Sequence, residues 1–458
     1  MQPLSGNSGS IAHSSLKPDS KFEPVEIKRP PNDEDLAFLP AYKLAAMIKS
    51  KQVTSTELTK LYLDRLKKYD PQLLCVVNLT ERLALKQAAK ADDEIAAGNY
   101  RGPLHGIPFG AKDLISVEDF PTTWGIPVFE NRVIPQTATV VKRLFDAGAV
   151  LVAKLSLGAI AMGDKWFKGM TRNPWNLEQG SSGSSAGSCS ASSAGLVGFA
   201  LGSETLGSIL TPSGRCASHG LRPTFGRVSR AGCMPLSWSM DKIGPIARSV
   251  QDLALVFSAI QGPDGMDATV QGRPFEWGKF KINFSQLKVG VVKRDRPDPA
   301  LEQVRQMGCQ IKEIELPKGY PFQAMTKIID IEGAAVFDSL LRQGKTDGWN
   351  TWTKSFQAAQ FITAIDYLRM QRVRRKLMIE FDELMQEVDL LFNAGDLVHT
   401  NFTGHPSVII PFVDPSAEAG KKPSSVVFTG HLFDEQTILA VAHEFESRAA
   451  LPLPRPKF

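Results

Sequence analysis

Residues 180–210 carry almost no charge, and this limits where the segment can lie in any fold. The run begins as GSSGSSAGSCSASS (180–193), a composition that is typical of flexible linkers. It continues directly as AGLVGFALGSETLGSIL (194–210), in which Glu204 is the only charged residue. Surface loops are rarely so poor in charge, so we expect the segment to be buried, with small residues allowing neighbouring backbones to approach closely.

Apolar, strand-like segments alternate with amphipathic helical patterns along the rest of the chain. A capping box at Thr54–Glu57 predicts the start of a helix. Further helices are predicted over 139–147, 299–307 and 434–448, and strands over 106–111, 149–153, 287–292, 310–317, 388–394, 407–412 and 426–430. This alternation predicts an α/β fold with a mixed central β-sheet covered by helices on both faces. We expect a tail or arm at residues 1–34 and a single compact domain over 35–458.

The composition excludes several classes of function. The chain is 43% hydrophobic and 22% charged with a net charge of +5, and its basic and acidic residues are interspersed, so no nucleic-acid partner is expected. No apolar run reaches the length of about 18 residues that a membrane span needs. The five cysteines show no CxxC spacing and the N-terminus lacks the apolar core of a signal peptide, which favours a cytoplasmic location.

Several well-known enzyme motifs match this sequence poorly. Gly183–Gly187 fits the nucleophile elbow G-x-S-x-G with Ser185 as nucleophile, but the polar residues before it cannot form the buried strand that the elbow requires. Ser208 stands where a P-loop would have lysine, so the glycines of GSETLG do not indicate a phosphate site. There is no HExxH motif and the histidines show no metal-ligand spacing, so we expect neither a metal nor a cofactor.

Five segments together resemble the amidase signature family, in order and at spacings similar to those of the family. The resemblance extends over most of residues 35–445 and implies the amidase signature fold. The segments are GIPFGAKD (106–113), TRNPWNLEQGSSGSSAGS (171–188), GSETLGSILTPSGRCASHGLRPTFGRVS (202–229), SMDKIGPIARSVQD (239–252) and NFTGHPSVIIP (401–411).

The resemblance implies a Ser-Ser-Lys catalytic triad. Lys112 matches the family's lysine, Ser184 the bridging serine and Ser208 the nucleophile; the family's oxyanion hole corresponds to the backbone amides of Thr205, Leu206, Gly207 and Ser208. The chemistry is reasonable, because a serine hydroxyl needs a neighbouring base. A lysine can be that base when burial disfavours its ammonium form.

The sequence departs from the family pattern in and around these motifs. Glu204 replaces the usual Asp, Leu206 the first Gly of a Gly-Gly pair, and Leu210 a frequent Arg. Ser182 and Ala186 replace glycines, which we expect to be mild changes. Since a side chain at position 206 narrows the pocket but leaves the amide donors in place, we expect activity to survive with an altered substrate shape.

The expected function is hydrolysis of carboxamide C–N bonds, extending to esters or carbamates, by an acyl-enzyme on Ser208. Two alternatives stay open: the amidase (glutaminase) subunit of a tRNA-dependent amidotransferase, and a non-catalytic binding homologue. The mild charge and the altered 204–210 loop favour a free-standing enzyme with a small-molecule amide substrate; a homodimer is one assembly left open. Ser185, Trp166 and Phe167 are candidates for the substrate pocket, whose walls we expect within 120–135, 160–170 and 320–370.

Overall fold

The fold is described from a computed structural model. The described residues are 27–278, 282–293, 298–416, 418, 420–448 and 452–457, so most of the predicted tail lies outside them. In chain order, the α-helices of these residues are α1 Asp33–Ala37, α2 Ala41–Lys49, α3 Ser55–Leu73, α4 Glu81–Ala96, α5 Thr139–Asp146, α6 Ala186–Ser193, α7 Leu210–Cys216, α8 Val250–Ile260, α9 Pro299–Gln306, α10 Phe322–Met325, α11 Lys327–Arg342, α12 Trp352–Ala359, α13 Ala364–Met385, α14 Leu397–Thr403 and α15 Glu435–Ser447.

The strands form one large sheet and two small hairpins. In the described part of the chain they are β1 Val76–Leu79, β2 Pro108–Lys112, β3 Val150–Leu155, β4 Lys165–Trp166, β5 Gly169–Met170, β6 Arg172–Asn173, β7 Asn176–Gly180, β8 Phe199–Glu204, β9 His219–Arg222, β10 Lys242–Ala247, β11 Lys288–Val292, β12 Gln310–Ile314, β13 Leu390–Phe392, β14 Ser407–Phe412 and β15 Ser424–Gly430. β4 pairs with β5 and β6 with β7, away from the large sheet.

The large sheet is mixed, as the sequence predicts. Its order, within the described residues, is β1-β3-β2-β8-β10-β9-β14-β15-β13-β11-β12. β3, β2 and β8 are parallel neighbours, as are β13, β11 and β12, whereas the pairs from β8 through β10, β9, β14 and β15 to β13 are antiparallel. The carboxyl ends of β2 and β8 therefore meet at one edge, the place where α/β sheets commonly bind ligands.

Alternation of side chains along the central strands divides the core between the two faces of the sheet. In β8, Phe199 and Leu201 belong to the larger apolar cluster and Ala200 to the smaller one. β14 repeats the pattern with Val408 and Ile409. Helices α2, α5, α8, α11 and α15 contribute to the larger cluster, and α4, α6 and α7 to the smaller one. Both faces are thus covered by helices.

Most of the predicted elements are present, with ends shifted by a few residues. The capping box at Thr54 is formed at the start of α3, and Gly148 follows α5 with a positive φ of 81°. The strands that were predicted at 106–111 and 388–394 are shorter, at β2 and β13. No helix in the described residues is long and apolar enough to cross a membrane.

Candidate active site

The Gly/Ser-rich segment is interior chain and not a linker. Every residue of α6 is buried, as is every residue of β8, and between 181 and 210 only Ser182, Gly183 and Leu206 have intermediate exposure. The strand before the segment, β7, is largely exposed and pairs only with β6. The structure therefore lacks the buried strand of a nucleophile elbow before Ser185, in agreement with the sequence argument.

Lys112 ends β2, and its side chain lies in a group of serine oxygens. Its Nζ lies within hydrogen-bonding distance of Ser184 Oγ (2.8 Å), Ser185 Oγ (3.1 Å), Ser203 Oγ (2.8 Å) and the Ser203 carbonyl (3.3 Å). The side chain is completely buried. Lys112 and Ser184 are thus in direct contact although they are 72 residues apart.

Burial without a carboxylate partner changes the proton affinity of Lys112. Removal from water lowers the pKa of its ammonium from 10.5 to about 7, and the negative groups nearby oppose this only weakly. A neutral amine in this position has two N–H donors for surrounding oxygens and one lone pair for a proton. The site can therefore hold a neutral lysine near neutral pH.

Close packing of two loops fixes the turn that carries Ser184. At Gly183, a Cβ atom would lie 1.8 Å from the carbonyl oxygen of Gly163. Ser182, which replaces a family glycine, has a positive φ of 61°, and its N–H donates to Asp164 Oδ2 (2.9 Å). Ala186 begins α6 and is completely buried. Position 182 therefore does carry a backbone conformation that favours glycine.

Ser185 lies beneath the site. Its hydroxyl accepts a hydrogen bond from Ser203 N (3.1 Å) and donates to Ser203 O (3.0 Å), and the residue is completely buried. Ser185 Oγ also lies 3.1 Å from Lys112 Nζ, so the residue contacts the lysine directly. Its place in the wall of the substrate pocket stays a prediction.

Ser208 lies in the turn between β8 and α7. Its carbonyl accepts a hydrogen bond from Ser185 N (3.1 Å), which ties the Ser208 loop to the Ser184 turn, and the residue is 8% exposed. Ser208 Oγ makes no hydrogen bond with another described residue. The N–H groups of residues 205–208 also donate none within the described part of the chain. The oxyanion hole that the family resemblance implies at these four residues stays a prediction.

The side chain of Glu204 fixes the end of this loop that leads into α7. Its Oε2 accepts hydrogen bonds from Ile209 N (2.8 Å) and Leu210 N (3.0 Å). Its Oε1 accepts from Arg222 Nη1 (2.9 Å) and Asn401 Nδ2 (2.8 Å). Burial alone would raise the pKa of Glu204, but the Arg222 and Lys242 charges and the backbone donors lower it to about 2. The carboxylate is therefore ionised and paired with the buried Arg222 guanidinium.

Leu206 and Gly207 differ in what they require of the backbone. Gly207 has a positive φ of 86°, and a Cβ there would lie 2.8 Å from Thr211 Oγ1. Leu206 has no positive φ, is half-buried and packs against the larger apolar cluster. Replacement of the first glycine of the family pair is thus compatible with the loop, whereas the second position needs glycine.

A buried ion pair next to Lys112 was not found by sequence reasoning. Asp113 Oδ1 accepts a hydrogen bond from Lys154 Nζ (2.7 Å), and neither side chain is exposed. Asp113 Oδ2 also accepts from the backbone N–H of Thr123 (2.8 Å). No local signal in the sequence points from Asp113 to Lys154, which is 41 residues away. This pair joins the end of β2 to β3 and to the 121–123 turn.

The other two pocket candidates, Trp166 and Phe167, pack against each other. Trp166 is 6% exposed and meets the ring of half-buried Phe167 edge-on at 5.1 Å. Their place in the pocket wall stays a prediction. Burial raises the pKa of Cys189 to about 12 and lowers that of His405 to about 3, so neither is poised for acid–base chemistry at neutral pH. No cluster of metal-ligating side chains occurs among the described residues.

Comparison with known proteins defines the class. Residues 57–395 match the protein family described as Amidase. The chain belongs to this family, as the sequence resemblance predicted, and it is an amide-hydrolysing enzyme.

Individual relatives cover nearly the whole chain. The A subunit of Glutamyl-tRNA(Gln) amidotransferase from Carboxydothermus hydrogenoformans is 31% identical over 492 aligned positions, covering 92% of this chain and 100% of that protein. The crystal structure of the peptide amidase from Stenotrophomonas maltophilia has a TM-score of 0.79 at 28% identity, covering 92% and 98% of the two chains. The A subunit of the Glutamyl-tRNA(Gln) amidotransferase from Thermotoga maritima has a TM-score of 0.77 at 26% identity, covering 94% and 100%.

Proposed function

We propose that this enzyme cleaves carboxamide C–N bonds through an acyl-enzyme on Ser208, with Ser184 relaying protons to Lys112. The observation that carries the proposal is the direct contact of the buried Lys112 amine with Ser184 Oγ. Neutral Lys112 takes the Ser184 proton as Ser184 takes the proton of Ser208. The Ser208 Oγ, which makes no hydrogen bond with another described residue, then attacks the substrate carbonyl.

The unpaired N–H groups of residues 205–208 support an oxyanion hole. Negative charge develops on the carbonyl oxygen as the tetrahedral intermediate forms, and fixed amide donors stabilise it without reorganisation. The proton held by Lys112 then returns through Ser184 to the leaving nitrogen, which breaks the C–N bond. Water, activated by the same relay, cleaves the ester to Ser208 and releases the acid.

The relatives' names favour a more specific function than the sequence alone. Relatives that match this chain over 92% and 90% of its length are named as the A subunit of Glutamyl-tRNA(Gln) amidotransferase, which corresponds to the alternative kept open above. The peptide amidase neighbour supports a free-standing enzyme instead. We propose the amidotransferase subunit, with glutamine as amide donor, as the first substrate hypothesis. A cytoplasmic location agrees with it; a homodimer remains a second assembly to test.

Replacing the nucleophile tests the core of the proposal. Ser208→Ala should reduce turnover by at least about 10⁴-fold, because the acyl-enzyme cannot form. A fluorophosphonate probe should label the wild type and leave the variant unlabelled, which mass spectrometry of the modified peptide measures. Ser193→Ala, in α6 and outside the Lys112 contacts, is the matched control and should keep both properties. Labelling that persists in Ser208→Ala would move the nucleophile elsewhere.

A glutaminase assay separates the two substrate hypotheses. If the chain belongs to an amidotransferase, its release of ammonia from glutamine should be slow in isolation. The rate should rise when the other subunits of a bacterial amidotransferase are added with Glu-tRNA(Gln). A free-standing amidase should instead hydrolyse members of a panel of aryl and alkyl amides without any partner. The Ser208→Ala variant is inactive in either case, so residual activity in that variant identifies contamination.

A further inference from the structure

Lys242 is a second buried lysine beside the nucleophile loop, and the proposed reaction does not use it. It begins β10 and lies directly opposite Glu204 in the antiparallel pair of β8 and β10. The residue is 3% exposed, and its Nζ donates a hydrogen bond to the carbonyl oxygen of Thr205 at 3.3 Å. Because burial of an amine is costly, its position here needs a compensating role.

The carbonyl that Lys242 contacts belongs to the same peptide group as the N–H of Leu206. A trans peptide is planar, so its C=O and N–H bonds point in opposite directions. Fixing the direction of the Thr205 carbonyl therefore fixes the direction of the Leu206 N–H. That N–H donates to no described residue and is one of the proposed oxyanion donors.

The residue before Lys242 holds the side chain of Thr205. Thr205 Oγ1 donates a hydrogen bond to Asp241 Oδ1 at 2.6 Å. Asp241 Oδ2 is fixed in turn by the backbone N–H groups of Leu236 (2.8 Å) and Ser237 (2.9 Å). Asp241 and Lys242, consecutive residues at the start of β10, thus hold the hydroxyl and the carbonyl of Thr205. Glu204 holds the opposite end of the loop.

We infer that Lys242 is a positioning residue for amide hydrolysis, which orients the Thr205–Leu206 peptide so that the Leu206 N–H points at the developing oxyanion. The inference rests on the proposed function. Lys242 should stabilise the transition state more than the bound substrate, because the substrate carbonyl oxygen gains its negative charge only in the transition state. The affinity for the substrate should therefore change little when Lys242 is replaced.

Two substitutions of Lys242 separate the donor from the charge. Lys242→Met removes both, whereas Lys242→Gln loses the charge and keeps an N–H donor, on a side chain that is one bond shorter. With 4-nitrophenyl acetate as probe substrate, Lys242→Met should lower kcat by roughly 10- to 100-fold, less than the about 10²–10³ lost when a donor is removed outright. KM should stay within about threefold. Lys242→Gln should recover most of kcat.

The inhibition constant of a transition-state analogue should change if Lys242 orients the oxyanion donor, and should not change if Lys242 only supports the fold. The inhibition constant of a trifluoromethyl ketone, which forms an oxyanion on the enzyme, should rise in Lys242→Met by the same factor as kcat falls. Lys422→Met is the matched control, since Lys422 also donates to backbone carbonyls, those of Gly214 and Pro423, and is not in contact with the 205–208 loop. It should leave both values unchanged.

The outcomes keep this inference distinct from the proposed function. If Ser208→Ala retains turnover, the proposed function fails and the inference fails with it. If Ser208→Ala is inactive while Lys242→Met keeps wild-type kcat and inhibitor affinity, only the positioning role is overturned. A matching loss of substrate and inhibitor binding, with kcat unchanged, overturns it as well. If Lys242→Met does not fold, Lys242→Leu takes its place: equal losses of kcat and of inhibitor affinity support the role, and wild-type values of both overturn it.

Discussion

A lysine accepts a proton near neutral pH only when its ammonium form is destabilised. The surroundings of Lys112 destabilise it because none of its hydrogen-bond partners among the described residues is a carboxylate. All four of its hydrogen-bond partners among the described residues are neutral oxygens. Lys154, one strand away and equally buried, has the Asp113 carboxylate at 2.7 Å. Burial lowers the pKa of Lys154 as well, but there the Asp113 carboxylate opposes the effect, whereas no carboxylate of the described residues bonds to Lys112.

The pKa of Lys112 sets the pH dependence of turnover. Below about 7 the amine is protonated and cannot take the Ser184 proton; above it the amine is neutral and can. We therefore expect kcat/KM to rise with pH through an inflection near 7 and to remain high on the alkaline side. A pH profile from 5 to 10 measures this, and an optimum confined to acidic pH would contradict it.

Lys242 has a pKa in the same range, so the inflection must be assigned to one of the two lysines. Burial first, and then the Arg222 charge, lower the pKa of Lys242 to about 7, against the opposing carboxylates of Glu204 and Asp241. Lys242→Gln should keep the inflection, because Lys112 is still present. Lys112→Met should abolish it and lower kcat/KM by roughly 10²–10⁴-fold.

At the scale of elements, the site depends on turns whose backbones nearly touch. The Ser184 turn packs against the 158–163 turn, and the next segment, α6, packs against β8 through small side chains. Small residues at 182–187 are required by these approaches: at Gly187, a Cβ would lie 2.4 Å from the Cys75 carbonyl oxygen. A composition that resembles a linker is thus a consequence of dense packing.

Gly183→Ala should disrupt the turn that carries Ser184. The added Cβ would overlap the Gly163 carbonyl oxygen, so the two turns must separate. A displacement of about 1 Å at a catalytic group can cost about 10²-fold in rate, and we expect a loss of that size in kcat/KM. Gly272→Ala is the control, because its Cβ would meet nothing closer than Pro263 at 3.7 Å. Equal activities of the two variants would show that the contact is unimportant.

Elements that carry their own periodic pattern were predictable from sequence, and contacts between distant segments were not. The strands of β3 and β14 and the helix α5 follow from apolar periodicity and from Gly148. The partners of Glu204 were missed because Arg222 and Asn401 are 18 and 197 residues away. The positive φ of Ser182 was missed for a related reason, since it is imposed by the packed turns and not by local propensity.

At the scale of the whole molecule, the mixed sheet brings the site together. Lys112 and Ser203 meet because β2 and β8 are parallel neighbours, while the antiparallel β10 brings Lys242 back to the same edge. Sequence reasoning predicted a mixed sheet but not its order, which depends on pairings between strands that are far apart in the chain. The site residues could therefore be assigned only through the family resemblance.

The buried pair of Asp113 and Lys154 should contribute to the stability of the whole fold. Lys154→Met leaves an unpaired carboxylate without solvent, and we expect the free energy of unfolding to fall by about 3–5 kcal/mol. Urea denaturation measures this loss. The exposed pair of Lys168 and Glu130, at 3.7 Å, is the control, and Lys168→Met should cost no more than about 1 kcal/mol.

A double variant distinguishes an unpaired charge from a loss of packing. Asp113→Asn with Lys154→Met removes both charges, and the side-chain amide introduced at position 113 could still accept the hydrogen bond from the backbone N–H of Thr123. If the unpaired carboxylate causes the loss, the double variant should be more stable than Lys154→Met alone. Asp113→Asn alone completes the cycle. If the losses of the two single variants simply add in the double variant, the charges do not interact across the pair, and the destabilisation comes from lost packing around the Lys154 side chain.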